Sequence, residues 1–163
     1  RPSRRCEPSS TPCGGRRWTS SWLRRFPNVQ MRDGIEMSNP IKILVLDDSV
    51  DVAEGVAELL EMSGYEVTLT HDGPSAVTAY SNQEFDVGLF DVRMPGMNGV
   101  EAFMEIRRRH PNASVILMSG YADDELVSRA LKNGAIGLLS KPFEPDDMLS
   151  RLQTAVRGEL ATA

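Results

Sequence analysis

The strongest constraint in this chain is an alternation. Five short apolar runs (residues 41–46, 65–70, 85–90, 114–118 and 135–140) are each followed by a segment with helical spacing. Runs of four to six residues bounded by breakers read as strands. After the first, Val52, Val56, Leu59 and Leu60 recur at helical period, with Ser49 as the expected cap and Gly64 as the stop. Asp72-Gly-Pro74 opens a second helix with Ala76, Val77 and Tyr80 inward. A third spans residues 100–109, with Val100, Phe103, Met104 and Ile106 inward and Pro111 ending it. The fourth has Asp123 or Asp124 as cap and Leu126, Val127, Ala130 and Leu131 inward. The fifth starts at Glu144-Pro145 with Met148, Leu149, Leu152 and Val156 inward. Strictly alternating strands and helices fold as an α/β domain, a parallel sheet with helices on both faces and right-handed crossovers.

In such sheets, ligand groups gather at the carboxyl ends of the strands. Those ends carry unusual residues here. The first run stops on Asp47 and Asp48, the third on Asp91, the fourth on Ser119 and the fifth runs into Lys141. Singly, each has an ordinary reading as a turn residue, a helix cap or a solvated lysine. Their placement on one rim makes a site. Clustered carboxylates repel, and a proton or a divalent cation relieves the repulsion. Oxygen ligands without Cys or His favour Mg²⁺ or Mn²⁺ over zinc. A metal, an ammonium and a carboxylate nucleophile suit phosphoryl transfer, which depends on positioning and charge stabilisation. His71 and His110 read as surface residues, and Met94 and Met97 as residues anchoring the breaker-rich loop MPGMNG, residues 94–99.

Charge is divided unevenly. Residues 1–40 carry eight Arg against three acids, and residues 41–163 carry ten Lys and Arg against twenty acids. An acidic domain repels nucleic-acid phosphates, which argues against direct DNA binding by the folded part. Both cysteines, Cys6 and Cys13, lie in the basic segment with no partner His or Cys cluster, which argues against zinc. No apolar run approaches the roughly 20 residues of a membrane helix. Residues 1–40 lack the apolar core of a secretory signal. Their composition is that of a transit peptide or of a basic arm, but the expectation is a disordered leader or sequence upstream of the natural start, since Met31 and Met37 stand just before the fold. The expected organisation is a leader at 1–40, one folded domain at 41–158 and a tail at 159–163, in the cytoplasm.

The motifs LDD (residues 46–48), DVRMPGMNG (91–99), SG (119–120) and SKPF (140–143) resemble the receiver domain of two-component response regulators, of the chemotaxis-regulator type. The resemblance covers about residues 41–158. It implies the flavodoxin-like strand order 2-1-3-4-5. It also implies roles. Asp91 would accept a phosphoryl group from a phosphohistidine of a sensor histidine kinase or histidine phosphotransfer protein. Asp48 would bind Mg²⁺ directly, Asp47 largely through water, and the backbone carbonyl of Arg93 would complete the set with Asp91. Lys141 would pair with the phosphoryl group, Ser119 would be the switch hydroxyl, and the Lys141–Pro142 bond would be cis. The output would pass through helix 4, strand 5 and helix 5 to a downstream protein, with no separate turnover substrate.

Two positions depart from the family pattern. Leu138 stands where many receivers have an aromatic switch residue, with Tyr121 the nearest aromatic in the adjacent loop. Ile136-Gly137 stands where DNA-binding regulators often have an acid used in dimer pairing. Three rival readings remain at this stage. A haloacid-dehalogenase-like phosphatase would show D-x-D after the first strand, which this chain lacks. A flavodoxin-like flavin binder would show a phosphate-cradling loop there. A pseudo-receiver would bind partners without phosphorylation.

Overall fold

The structure, a computed structural model, describes residues 40–120 and 125–157. Five strands, β1 (Lys42–Leu46), β2 (Glu66–Thr70), β3 (Val87–Asp91), β4 (Val115–Ser119) and β5 (Gly137–Ser140), form one sheet. All pairings are parallel, in the order β2-β1-β3-β4-β5. Five helices alternate with them: α1 (Val50–Met62), α2 (Gly73–Asn82), α3 (Gly99–Arg109), α4 (Glu125–Lys132) and α5 (Pro145–Val156). The expected fold and strand order are both present.

The period-two geometry of strands divides the core into two layers. Leu44, Leu46, Phe90, Val115 and Leu117 pack with Tyr80, Phe103, Ile106 and Val127 from α2, α3 and α4. Ile43, Val45, Leu89, Ile116, Met118 and Leu139 pack with Leu60, Met148 and Leu152 from α1 and α5. Burying one such Leu or Phe side chain contributes about 1.5–3 kcal/mol. The central strands β1, β3 and β4 are covered on both faces, so they read as unbroken apolar runs rather than as alternating ones.

Several local expectations are corrected. Ser49 is the N-cap residue of α1, but its side chain makes no capping bond. Its N–H instead donates to Asp47 Oδ1 at 3.0 Å. Val52 is 39% exposed, and the inward places on α1 go to Ala53, Val56, Ala57 and Leu60. Leu131 and Val156 are likewise exposed, because each lies one step off its helix's buried stripe, beside Ala130 and Ala155. The fifth strand is shorter than its apolar run, beginning at Gly137 rather than at 135. α2 is capped as expected, with Asp72 accepting from Ser75 N at 2.8 Å. The Asp123 or Asp124 cap, the leader at 1–39, Tyr121 and the residues beyond 157 lie outside the described residues.

Candidate functional site

Parallel strands all point the same way, so their carboxyl ends share one rim. β1 and β3 are hydrogen-bonded neighbours, with Leu46 opposite Phe90. That register sets Asp47 and Asp48 beside Asp91, and the three residues offer carboxylate oxygens within 4.8 Å of one another. Asp47 is 1% exposed and Asp91 8% exposed, while Asp48 is open to solvent.

Lys141 comes from beyond the sheet's edge strand. β4 and β5 pair Ser119 with Ser140, and Lys141 N–H donates to the Ser119 carbonyl at 2.7 Å. This fixes the lysine backbone at the rim. The Lys141–Pro142 bond is cis, as expected. The side chain then reaches inward, with Nζ 2.7 Å from Asp47 Oδ2 and 3.0 Å from Asp91 Oδ1. One ammonium therefore bridges two buried carboxylates from two different strands. Ser119 is 1% exposed at the end of β4. Arg93 lies two residues past Asp91, with its side chain exposed.

The electrostatics follow from burial and these pairs. Burial pushes the Asp91 carboxyl above the ordinary carboxylate range. The hydrogen bond and charge of Lys141 pull it back, while Asp47 and Asp48 add repulsion, and the balance stays upward. On Lys141, burial works against the ammonium, but the hydrogen bonds and charges of Asp47 and Asp91 outweigh it and hold the group above the usual lysine range. The rim thus holds two mutually dependent charges of opposite sign, plus further acids beside them.

The loop after β3 shows why its residues are what they are. Met94 is buried in the core and Met97 packs against it, which matches their expected anchoring role. Gly96 has φ +74°, a conformation that suits glycine. Asn98 caps α3 by accepting from Glu101 N–H at 2.9 Å, and Glu101 Oε2 accepts in turn from Asn98 N–H at 3.1 Å. Gly99, the first residue of α3, sits against the Asp91 backbone, and an added Cβ would overlap the Asp91 carbonyl.

Two features were not foreseen from sequence. The Asn98–Glu101 capping box was visible as N-G-x-E spacing but was not assigned. His71 is exposed as expected, yet its Nδ1 lies 3.0 Å from the Asp47 carbonyl oxygen. A carbonyl only accepts, so this contact assigns the proton to Nδ1. At the position of the usual aromatic, Leu138 is half-buried and packs against the α2–α3–α4 layer.

Comparison with known proteins identifies the family. The family described as response regulator receiver domain matches residues 43–153. The transcriptional regulatory protein FixJ of Bradyrhizobium diazoefficiens is 32% identical over 115 residues, which cover 71% of this chain and 56% of FixJ. The nitrate/nitrite response regulator protein NarL of Escherichia coli is 34% identical over 129 residues, 76% of this chain and 59% of NarL. The chain thus spans little more than half the length of these curated relatives. Among solved structures, the chemotaxis protein CheY4 of Vibrio cholerae aligns with a TM-score of 0.68 at 31% identity, covering 71% of this chain and 98% of CheY4. The CheX-CheY-BeF3-Mg²⁺ complex from Borrelia burgdorferi aligns with a TM-score of 0.67 at 30% identity, covering 71% of this chain and 88% of that one. With its fold, its rim of acids and its bridging lysine, this chain belongs to the receiver domains of response regulators, a signalling fold of two-component systems.

Proposed function

We propose that residues 41–158 form a phosphorylation-controlled switch in which Asp91 is the phosphoacceptor. The observation that carries this reading is the contact of Lys141 Nζ with Asp91 Oδ1 at 3.0 Å, beside two further carboxylates. In the reaction, an Asp91 carboxylate oxygen forms a bond to phosphorus. The phosphorus–nitrogen bond of a donor phosphohistidine breaks, and the imidazole leaves with the electron pair and takes up a proton. The donor is a sensor histidine kinase or a histidine phosphotransfer protein, which fits a cytoplasmic setting.

The donor set is hard oxygen throughout, with no His or Cys among the clustered groups, and so fits Mg²⁺ or Mn²⁺. Asp48, Asp91, the Arg93 carbonyl and, largely through water, Asp47 would hold the ion. When bound, Mg²⁺ neutralises carboxylate charge and binds phosphoryl oxygens. The relative captured with BeF3 and Mg²⁺ supports this choice. Lys141 supplies the second positive charge, and Ser119 supplies the hydroxyl that meets the phosphoryl oxygens.

The phosphoryl group adds about −1.5 to −2 charge at neutral pH. Lys141 and Ser119 follow that charge, and the face formed by α4, β5 and α5 shifts between two populations that a downstream protein distinguishes. Half-buried Leu138 occupies the usual aromatic place, so the signal leaves either with Tyr121 standing in part for the aromatic or mainly through Ser119 and the loop before α4. The acidic folded part does not bind nucleic acid directly.

Incubation with acetyl phosphate and Mg²⁺, read by intact mass, tests the assignment. Wild type gains a phosphoryl adduct and Asp91→Asn does not. Labelling of Asp91→Asn at the wild-type level removes Asp91 from the role.

A further inference from the structure

Asp47 is held at every polar atom. Its N–H donates to the Thr70 carbonyl at 3.2 Å. Its Oδ1 accepts from Ser49 N–H at 3.0 Å and its Oδ2 from Lys141 Nζ at 2.7 Å. Its carbonyl oxygen accepts from His71 Nδ1 at 3.0 Å. The first three contacts belong to the sheet or to the acidic rim itself. The fourth comes from the turn between β2 and α2, outside both.

Asp48 stands in contrast. Its carboxylate is open to solvent and makes no hydrogen bond or ion pair with another described residue. Its direction is therefore set by the backbone that carries it. Two peptide planes flank it. The plane after Asp48 contains Ser49 N–H and is tied to the Asp47 carboxylate. The plane before Asp48 contains the Asp47 carbonyl and is tied to His71. A bond to that carbonyl resists rotation of the plane, and so resists a swing of the Asp48 side chain away from the rim.

The turn presents the imidazole by local means. Thr70 is buried, and its Oγ1 donates to the Val45 carbonyl at 3.1 Å, which fixes the end of β2 against β1. Asp72 starts α2 by accepting from Ser75 N–H at 2.8 Å. His71 stands between these two anchored residues. Its ring is exposed, but the contact with the Asp47 carbonyl is half-buried.

We propose that His71 is a positioning residue for Asp48: by holding the 47–48 peptide, it aims the solvent-open carboxylate of the rim at a divalent cation. The inference rests on the Mg²⁺ reading above and adds to it a residue outside the ligand set. The imidazole touches neither the cation nor a phosphoryl group in this role. It acts only through the backbone of Asp47.

The test is a Mg²⁺ titration of the full, unphosphorylated chain by isothermal titration calorimetry, with no phosphodonor present. Wild type binds Mg²⁺ saturably. His71→Ala binds it about three- to ten-fold more weakly, the worth of one hydrogen bond. His71→Asn places an N–H donor one bond past Cγ, as Nδ1 is, and stays within about two-fold of wild type. Asp72→Ala removes the α2 cap next to His71. It melts at a lower temperature than wild type and binds Mg²⁺ equally well. In mildly alkaline buffer, ¹⁵N spectra of the wild-type His71 ring show the proton on Nδ1.

Wild-type affinity in His71→Ala overturns the proposal. So does a His71→Asn variant as weak as His71→Ala. Equal weakening in Asp72→Ala and His71→Ala assigns the effect to a loosened turn and overturns it too, as does a ring proton found on Nε2. Absence of Mg²⁺ binding by wild type itself sinks the metal reading and this inference together, whereas Mg²⁺ binding indifferent to residue 71 sinks the inference alone.

Discussion

Gly99 and Asp91 share one space: the backbone carbonyl of Asp91 occupies the position a Cβ on residue 99 would fill. The glycine therefore lets the first turn of α3 close directly onto the strand end that carries the acidic site. Gly99→Ala must displace either the helix or Asp91. The expected loss of stability is about 1–3 kcal/mol, the usual cost of overpacking, measured by urea unfolding. Acetyl-phosphate labelling should fall with it. Full labelling together with unchanged stability would show that the close approach is not needed.

Lys141 pairs with two buried carboxylates at once. Lys141→Met leaves Asp47 and Asp91 facing each other without a counter-charge. Breaking a fully buried pair costs about 3–5 kcal/mol. With the Lys141 side chain 26% exposed, about 1–3 kcal/mol is the expected loss at neutral pH. Millimolar Mg²⁺ should restore part of it. Urea midpoints with and without Mg²⁺ check this, and an identical loss in both buffers would contradict the metal seat.

Asp91 sets the sign of one pH effect. Its pKa is raised in the folded state, chiefly by burial. The folded chain therefore holds this proton more tightly than the unfolded chain. The associated stability is present below the ordinary carboxylate range and is lost as pH rises through the raised value. In Mg²⁺-free buffer, Asp91→Asn should accordingly have a higher melting temperature than wild type at neutral pH. The gap should narrow as pH falls into the ordinary carboxylate range. Scanning calorimetry across that range reads the trend, and a gap that widens on acidification would reverse the sign.

Asn98 and Glu101 close the start of α3 on each other. Asn98→Ala removes the side-chain acceptor from an orphan helix N–H, at about 0.5–2 kcal/mol. Asn98→Asp keeps the acceptor and should retain most of the stability. Thermal melts of the two variants decide whether the cap or mere side-chain size matters.

The strands and their charged ends were legible because each rests on local information. A run such as ILVL followed by two acids has few other uses in a chain of alternating elements. The helix faces were less legible. Alanine counts little in a hydrophobic pattern, yet Ala53, Ala57, Ala130 and Ala155 take buried places while Val52, Leu131 and Val156 face solvent. Small residues win those places because the helices lie close to the sheet. Ser49 holds the expected N-cap place of α1 but makes no side-chain capping bond. Asp47 Oδ1 accepts from Ser49's own N–H, a different donor from the first-turn N–H groups that a capping hydroxyl serves. That the Tyr80 hydroxyl is buried with no hydrogen-bond partner among the described residues was illegible altogether, since tyrosine on an inner helix face reads simply as core.

The strand order has a mechanical side. β5 is a margin of the sheet, paired only with β4, and β1 and β3 lie at its middle. Lys141, rooted just past β5, ties that margin to both middle strands by a single side chain. In the proposed switch the lysine would work as a guy-line: a change at Asp91 would tug on the border strand without having to pass through the interior packing.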